Sequence, residues 1–135
     1  MSDEGINPKD LIGATKAPLR FTPQIGIVYE GAVNAIGAIK YGPFNWRDYP
    51  ITLPIYLEAM KRHIAAIEEG EWIDPDHGLP HAAAIKAGCG IILDAHEYGT
   101  LRMDTCAPRE KSSRLSLVMD TCAQIVKKFA EGRKK

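Results

Sequence analysis

Gly37–His81 reads GAIKYGPFNWRDYPITLPIYLEAMKRHIAAIEEGEWIDPDHGLPH, and this stretch decides the fold. Its middle carries Leu53, Leu57, Met60, Ile64 and Ile67 at helical spacing, the apolar stripe of an amphipathic helix over residues 53–69. Thr52 is a candidate N-cap, Pro54 is tolerated in the first turn, and Gly70 stops the helix. Glu58 and Arg62 are four apart in the orientation that favours an ion pair. The short acidic segment EWIDPDHG (71–78) follows, and an alanine-rich helix with Gly88 and Gly90 begins near Leu79-Pro80-His81 and ends before Tyr98-Gly99. So short a connection makes the two helices antiparallel neighbours.

Outward from this hairpin, residues 25–40 place Ile25, Val28, Ala32, Ala35, Ile36 and Ile39 at spacings that predict another helix, ended by Gly42-Pro43. Residues 43–52 and 100–110 read as loops. Residues 111–131 carry a stripe of Leu115, Val118, Met119, Cys122, Ile125, Val126 and Phe129 and predict a last helix. Prolines and glycines in residues 1–24 predict an extended arm that packs on the body. No strand pattern and no internal repeat is evident. The expectation is an all-α bundle of about four main helices: an arm over 1–24, a helical domain over 25–131 and a basic tail over 132–135.

The chain has 135 residues, enough for one domain, with 45% hydrophobic and 25% charged residues. Lys+Arg and Asp+Glu both number 17, and a zero net charge argues against a nucleic-acid polymer as partner. The three cysteines form no C-x-x-C pair and suggest no disulfide framework, which fits a reducing cytoplasm. No signal peptide is evident, and no apolar run approaches the roughly 18 residues of a membrane helix.

Three clusters carry chemistry. Lys40-Tyr41 with Asn45-Trp46 could meet a phosphate through Lys40, stack a base on Trp46 and read its edge through Asn45; the plainer alternative is a hydrophobic loop over the bundle. Arg62 and His63 point about 100° apart, so one can face a phosphate while the other faces the interior; such a histidine is more often a satisfied core residue. Glu71, Asp74 and Asp76 offer oxygen ligands to a hard cation, or are a solvated turn. In an antiparallel hairpin, residues facing each other sum to about 150, which sets Glu58 near Asp94 and His63 near Ala87. Glu58 and Asp94 would then be carboxylates from facing helices, as in carboxylate metal bundles. His81 and Asp94 lie about 20 Å apart along one helix and should not share an ion.

Those residues also carry a resemblance. KDLIGATKAPL (9–19), GAIKYGPFNWR (37–47), Arg62-His63, GEWIDPDHGLPH (70–81) and ILDA (92–95) resemble the phage dATP/dGTP diphosphohydrolase family, itself similar to the MazG-like all-α nucleoside triphosphate pyrophosphohydrolases. The likeness runs over about residues 9–100. It implies hydrolysis of a purine (deoxy)nucleoside triphosphate, dGTP or GTP foremost, to the monophosphate and pyrophosphate. It further implies two or three Mg²⁺ or Mn²⁺ ions, a homo-oligomer (dimer or tetramer), and the cytosol of a phage-infected bacterium. On this reading Lys40, Arg62 and His63 are catalytic, and the candidate metal ligands are Glu58 with Asp94, and Glu68 or Glu71 with Asp74. Lys40, Tyr41, Asn45, Trp46, Arg62 and His81 hold the substrate. The chain departs from the family at His77, where Ser is usual, and at Ala84, where His or Lys is common. The EExxE…ExxD signature of MazG proteins is not cleanly present either. That absence favours the rival reading, a non-catalytic nucleotide-binding or scaffold protein on the same bundle.

Overall fold

The computed structural model describes residues 5–104, 106 and 112–133. They divide into two compact units, Met1–Leu101 and Arg102–Lys135. The first holds α1 (Pro8–Gly13), α2 (Gln24–Tyr41), the single turn α3 (Asn45–Asp48), β1 (Ile51–Thr52), α4 (Leu53–Glu68) and α5 (His81–Glu97); the second is essentially α6 (Ser112–Arg133). The fold is all-α apart from a two-residue ladder between β1 and β2 (Leu101–Arg102), anchored where the Ile51 N–H donates to the Thr100 carbonyl. The sequence predicts neither this ladder nor α1. α1 forms because the Asn7 side chain accepts from the Lys9 N–H and Pro8 opens the first turn, where its missing N–H costs nothing. Residues 1–4, 105, 107–111, 134 and 135, including the end of the expected basic tail, lie outside the described residues.

The expected helices over 25–40, 53–69, 79–97 and 111–131 correspond to α2, α4, α5 and α6 with ends within a few residues. Thr52 holds the N-cap position of α4, though its side chain makes no cap bond. α5 is the central helix of its unit, packed by α2, α3 and α4. Its Ala83, Ala87 and Ala95 are buried, and these small side chains let neighbouring helices approach closely. Gly88 lies against Met60, and Met60 Sδ is 3.6 Å from Cys89 Sγ, which puts the antiparallel register close to the expected sum of 150.

α2 reverses one expectation. Ile25, Val28, Ala35 and Ile39 of its predicted core stripe are exposed, while Gly26 and Glu30 meet α5 through Lys86 and Gly90. Periodicity finds the helix but does not say which face this chain buries. The face toward α5 mixes small, polar and aliphatic residues, and Ala32 and Ile36 of the predicted stripe stay half-buried. Among the described residues, no helix is long and apolar enough to cross a membrane.

Candidate functional site

The segment between α4 and α5 is built on backbone bonds. The Asp74 N–H donates to the Leu79 carbonyl, the Gly78 N–H to the Asp74 carbonyl, and the His81 N–H to the Trp72 carbonyl. Ile73 and Pro80 form an antiparallel bridge, and Gly78 takes φ 79°, a turn conformation that glycine adopts without strain. The tight return puts Asp74 beside the first residue of α5, His81, and both are buried. His63, eighteen residues back in α4, completes the group.

Three atoms define its geometry. His63 Nδ1 is 2.8 Å from His81 Nδ1, and each lies 3.7 Å from Asp74 Oδ2. The point equidistant from the corners of that triangle lies about 2.0 Å from each, the bond length of a small divalent ion to nitrogen or carboxylate oxygen. Among the described residues, these three side chains are the group whose donor atoms could share one ion.

The surroundings favour the ligand forms. Burial holds the His63 imidazole below its ordinary value, with His81, His77 and Arg62 adding to this and Asp74 opposing it. Burial pushes the Asp74 carboxyl up, but the Asp76 N–H on Oδ1 and the rings of His77, His81 and His63 outweigh it, and the net direction is downward. His77 Nδ1 accepts from the Leu79 N–H, so its Nε2 carries the proton and faces Asp74 Oδ2 at 3.5 Å. Glu71 meets His81 from behind: its Oε1 is 2.8 Å from His81 Nε2, on the ring nitrogen opposite the triangle. That is the position of an outer partner, which fixes the tautomer and leaves Nδ1 as the electron-pair donor.

The triangle edges a cavity of about 340 Å³ that Lys40, Asp76, Met60 and Gly88 also line. Lys40 Nζ stands 3.6 Å from Asp76 Oδ2. A second cavity of about 380 Å³ lies beside it, lined by Glu30, Asn34, Phe44, Asn45, Trp46 and Asp94. The two share Val33, Gly37, Tyr41, Tyr56 and Ile91. One cleft along α2 is therefore ionic at one end and aromatic at the other. Burial, and Tyr41 nearby, raise the Tyr56 hydroxyl, which stays neutral in the shared wall.

A clamp fixes the aromatic end. Asp94 accepts from Arg47 Nε at 2.9 Å and Nη2 at 3.0 Å, and from the Trp46 indole N–H at 2.6 Å. These bonds, Arg47 first, lower its carboxyl to about 2. The Arg47 guanidinium lies over the rings of Phe44 (4.5 Å) and Tyr98 (4.1 Å). Phe44 takes φ 53°, the left-handed region, a strained conformation of the kind that clusters at ligand sites.

The predicted residues are thus distributed. Lys40, His63, Asp74 and His81 come together; Tyr41, Asn45 and Trp46 line the aromatic end. Arg62 is exposed and turned from its neighbour His63. Glu58 is exposed on α4, and among the described residues it has no ion pair with Arg62. Asp94 finds Arg47 and Trp46 instead of Glu58, and Glu71 meets His81 Nε2, away from the triangle. The sequence reading missed Glu30, Arg47 and Tyr56. For Arg47 a signal existed, since it ends the Asn45-Trp46-Arg47 motif.

Fold and site together define a class, a helical protein whose cleft joins a histidine–carboxylate cluster to an aromatic chamber. More particularly, residues 7–105 match the family described as dATP/dGTP diphosphohydrolase, N-terminal, and the chain belongs to that family. A protein of Salmonella phage PMBT28 named dATP/dGTP diphosphohydrolase is 36% identical over 91 residues, 67% of this chain. The match covers 27% of that relative, so the chain spans about a quarter of its length. No solved structure matches the chain. α6 lies beyond the matched residues.

Proposed function

We propose that this chain hydrolyses a purine deoxynucleoside triphosphate, dGTP in preference to dATP, to the monophosphate and pyrophosphate. The observation that carries the reading is the shared wall of the two cavities. A nucleotide has a flat, weakly polar base and an anionic tail, and the cleft offers an aromatic chamber continuous with Lys40 and a group of ion-ligand atoms. The name of the phage relative agrees with it.

In this arrangement Trp46 presents a ring whose N–H is already committed to Asp94, leaving its face for stacking. Lys40 meets phosphate oxygens in exchange for Asp76. His63, Asp74 and His81 would hold a divalent ion, with Glu71 orienting His81. Two imidazoles beside one carboxylate suit a first-row transition ion such as Mn²⁺ better than Mg²⁺, which prefers an all-oxygen shell. A bound ion supplies charge neutralisation at phosphate oxygens and lowers the pKa of a water. His77, with Nε2–H toward Asp74, helps keep that carboxylate ionised.

Chromatography of products from dGTP and dATP, with Mn²⁺, Mg²⁺ or EDTA, tests the reading. dGMP and pyrophosphate formed only with a divalent ion are expected. Formation of dGDP would refute the cleavage position, full turnover in EDTA would refute the ion, and nucleotide binding without turnover would leave a binding protein.

A further inference from the structure

Glu30 sits in the middle of α2 and reaches across to α5. Its Oε2 is 2.8 Å from Lys86 Nζ, and its side chain is only 24% exposed. Two helix-interior glycines make room for this pair. A Cβ on Gly90 would stand 2.6 Å from Glu30 Oε1, and a Cβ on Gly26 would stand 3.2 Å from Lys86 Cε. Stability does not account for the arrangement, because a partly exposed ion pair contributes little and each glycine weakens its helix. Glu30 also lines the aromatic cavity, together with Asn34 and Trp46.

We propose that Glu30 selects the purine, its carboxylate accepting from the paired N–H donors of a guanine edge. The assignment rests on the reading of the cleft as a nucleotide site and deepens it. A carboxylate is acceptor-only, with about four lone-pair sites, so an oxygen bonded to Lys86 still accepts a further hydrogen bond. Guanine offers N1–H and N2–H₂ side by side, which match two carboxylate oxygens. Adenine offers a single donor, the 6-amino group, next to the N1 lone pair, and that lone pair would face the second oxygen. A site built around such a bidentate contact rejects the analogue that cannot make it far more strongly than an apolar chamber would. Lys86 holds the carboxylate in one orientation, and the bare Gly90 surface lets Oε1 lie against α5.

The test is calorimetric titration of the full chain with dGMP and with dAMP, which needs no hydrolysis. The wild type is expected to bind dGMP at least tenfold more tightly. Glu30→Gln keeps the shape but presents one acceptor and one donor, the complement of adenine, so the preference should vanish or invert. Gly90→Ala is the second variant. It favours the α5 helix while its Cβ displaces Oε1, so dGMP affinity should fall about tenfold, dAMP affinity should hold, and the melting temperature should not drop. Equal or absent dGMP and dAMP binding by the wild type overturns the assignment, as do equal losses for both nucleotides in Glu30→Gln. Hydrolysis is scored separately. A wild type that prefers dGMP but turns over no triphosphate sinks the proposed activity and leaves Glu30 standing; turnover without base preference does the reverse.

Discussion

Glu71→Gln separates an outer partner from a ligand. Glu71 touches His81 only through Nε2, at 2.8 Å, while the three atoms of the triangle lie on the other side of the ring. The amide still accepts from Nε2–H but carries no charge, so His81 becomes a weaker donor without losing its place. Outer-partner losses lower metal affinity by about 10–100-fold. The Glu71 side chain is 52% exposed, and solvent screening puts the expected loss at the lower end, about tenfold or roughly 1.4 kcal/mol. Asp74→Asn removes one corner of the triangle and should cost distinctly more. Electron paramagnetic resonance of free Mn²⁺, titrated into each full-length variant, measures both losses at pH 7. At that pH His63 is neutral, since its pKa lies below the ordinary histidine value, and protons compete only in more acidic solution. Unchanged Mn²⁺ affinity in Glu71→Gln would refute the outer-partner role. A loss exceeding that of Asp74→Asn would place Glu71 itself on the ion.

Trp46→Ala should weaken every purine nucleotide by roughly tenfold or more, as base–aromatic stacking contributes about 1–3 kcal/mol, and fluorescence-independent calorimetry reads the change. Asp94 has a depressed carboxyl, near 2 in the folded state against about 3.9 in an unfolded chain. Its contribution is therefore complete above about pH 4 and disappears as pH falls toward 2. Urea midpoints across that window should flatten in Asp94→Asn, and an unaltered slope would contradict the Arg47 clamp. Light scattering should report at least twice the 14.9 kDa chain mass, because the exposed Ile25, Val28 and Ile39 of α2 form an apolar seam; a monomer at tens of micromolar would count against it.

The helices were legible because each carries a periodic stripe between glycine or proline stops, as at Gly42 and Gly70. The Gly37–His81 stretch also gave the antiparallel register, which Met60 against Gly88 reproduces to within two residues. Side-chain direction was not legible. Four of the six α2 stripe residues are exposed because Gly26, Glu30 and Gly37 line the inward face, and periodicity weighs only hydrophobicity. Asp94 was drawn toward Glu58 by helix facing alone, but α3 brings an always charged, planar guanidinium within 3.0 Å, and a carboxylate takes that partner over another anion. His81 was separable from Asp94 by helix length, whereas its approach to His63 and Asp74 depends on a hairpin whose backbone bonds no residue pattern announces.

The burial within α5 has a consequence for how much of this protein exists in working form. Among the described residues the buried apolar side chains are Ile51, Ala83, Ala87 and Ala95, and no large side chain is fully enclosed. So small an interior leaves a single copy marginal, since apolar burial is the main favourable term in folding. Association of copies would join folding in one mass-action equilibrium, and the melting temperature would then climb with protein concentration. The cleft between α2 and α5 inherits that dependence. The folded cleft would then form more steeply than in proportion to the number of chains, and a dilute pool would hold little of it.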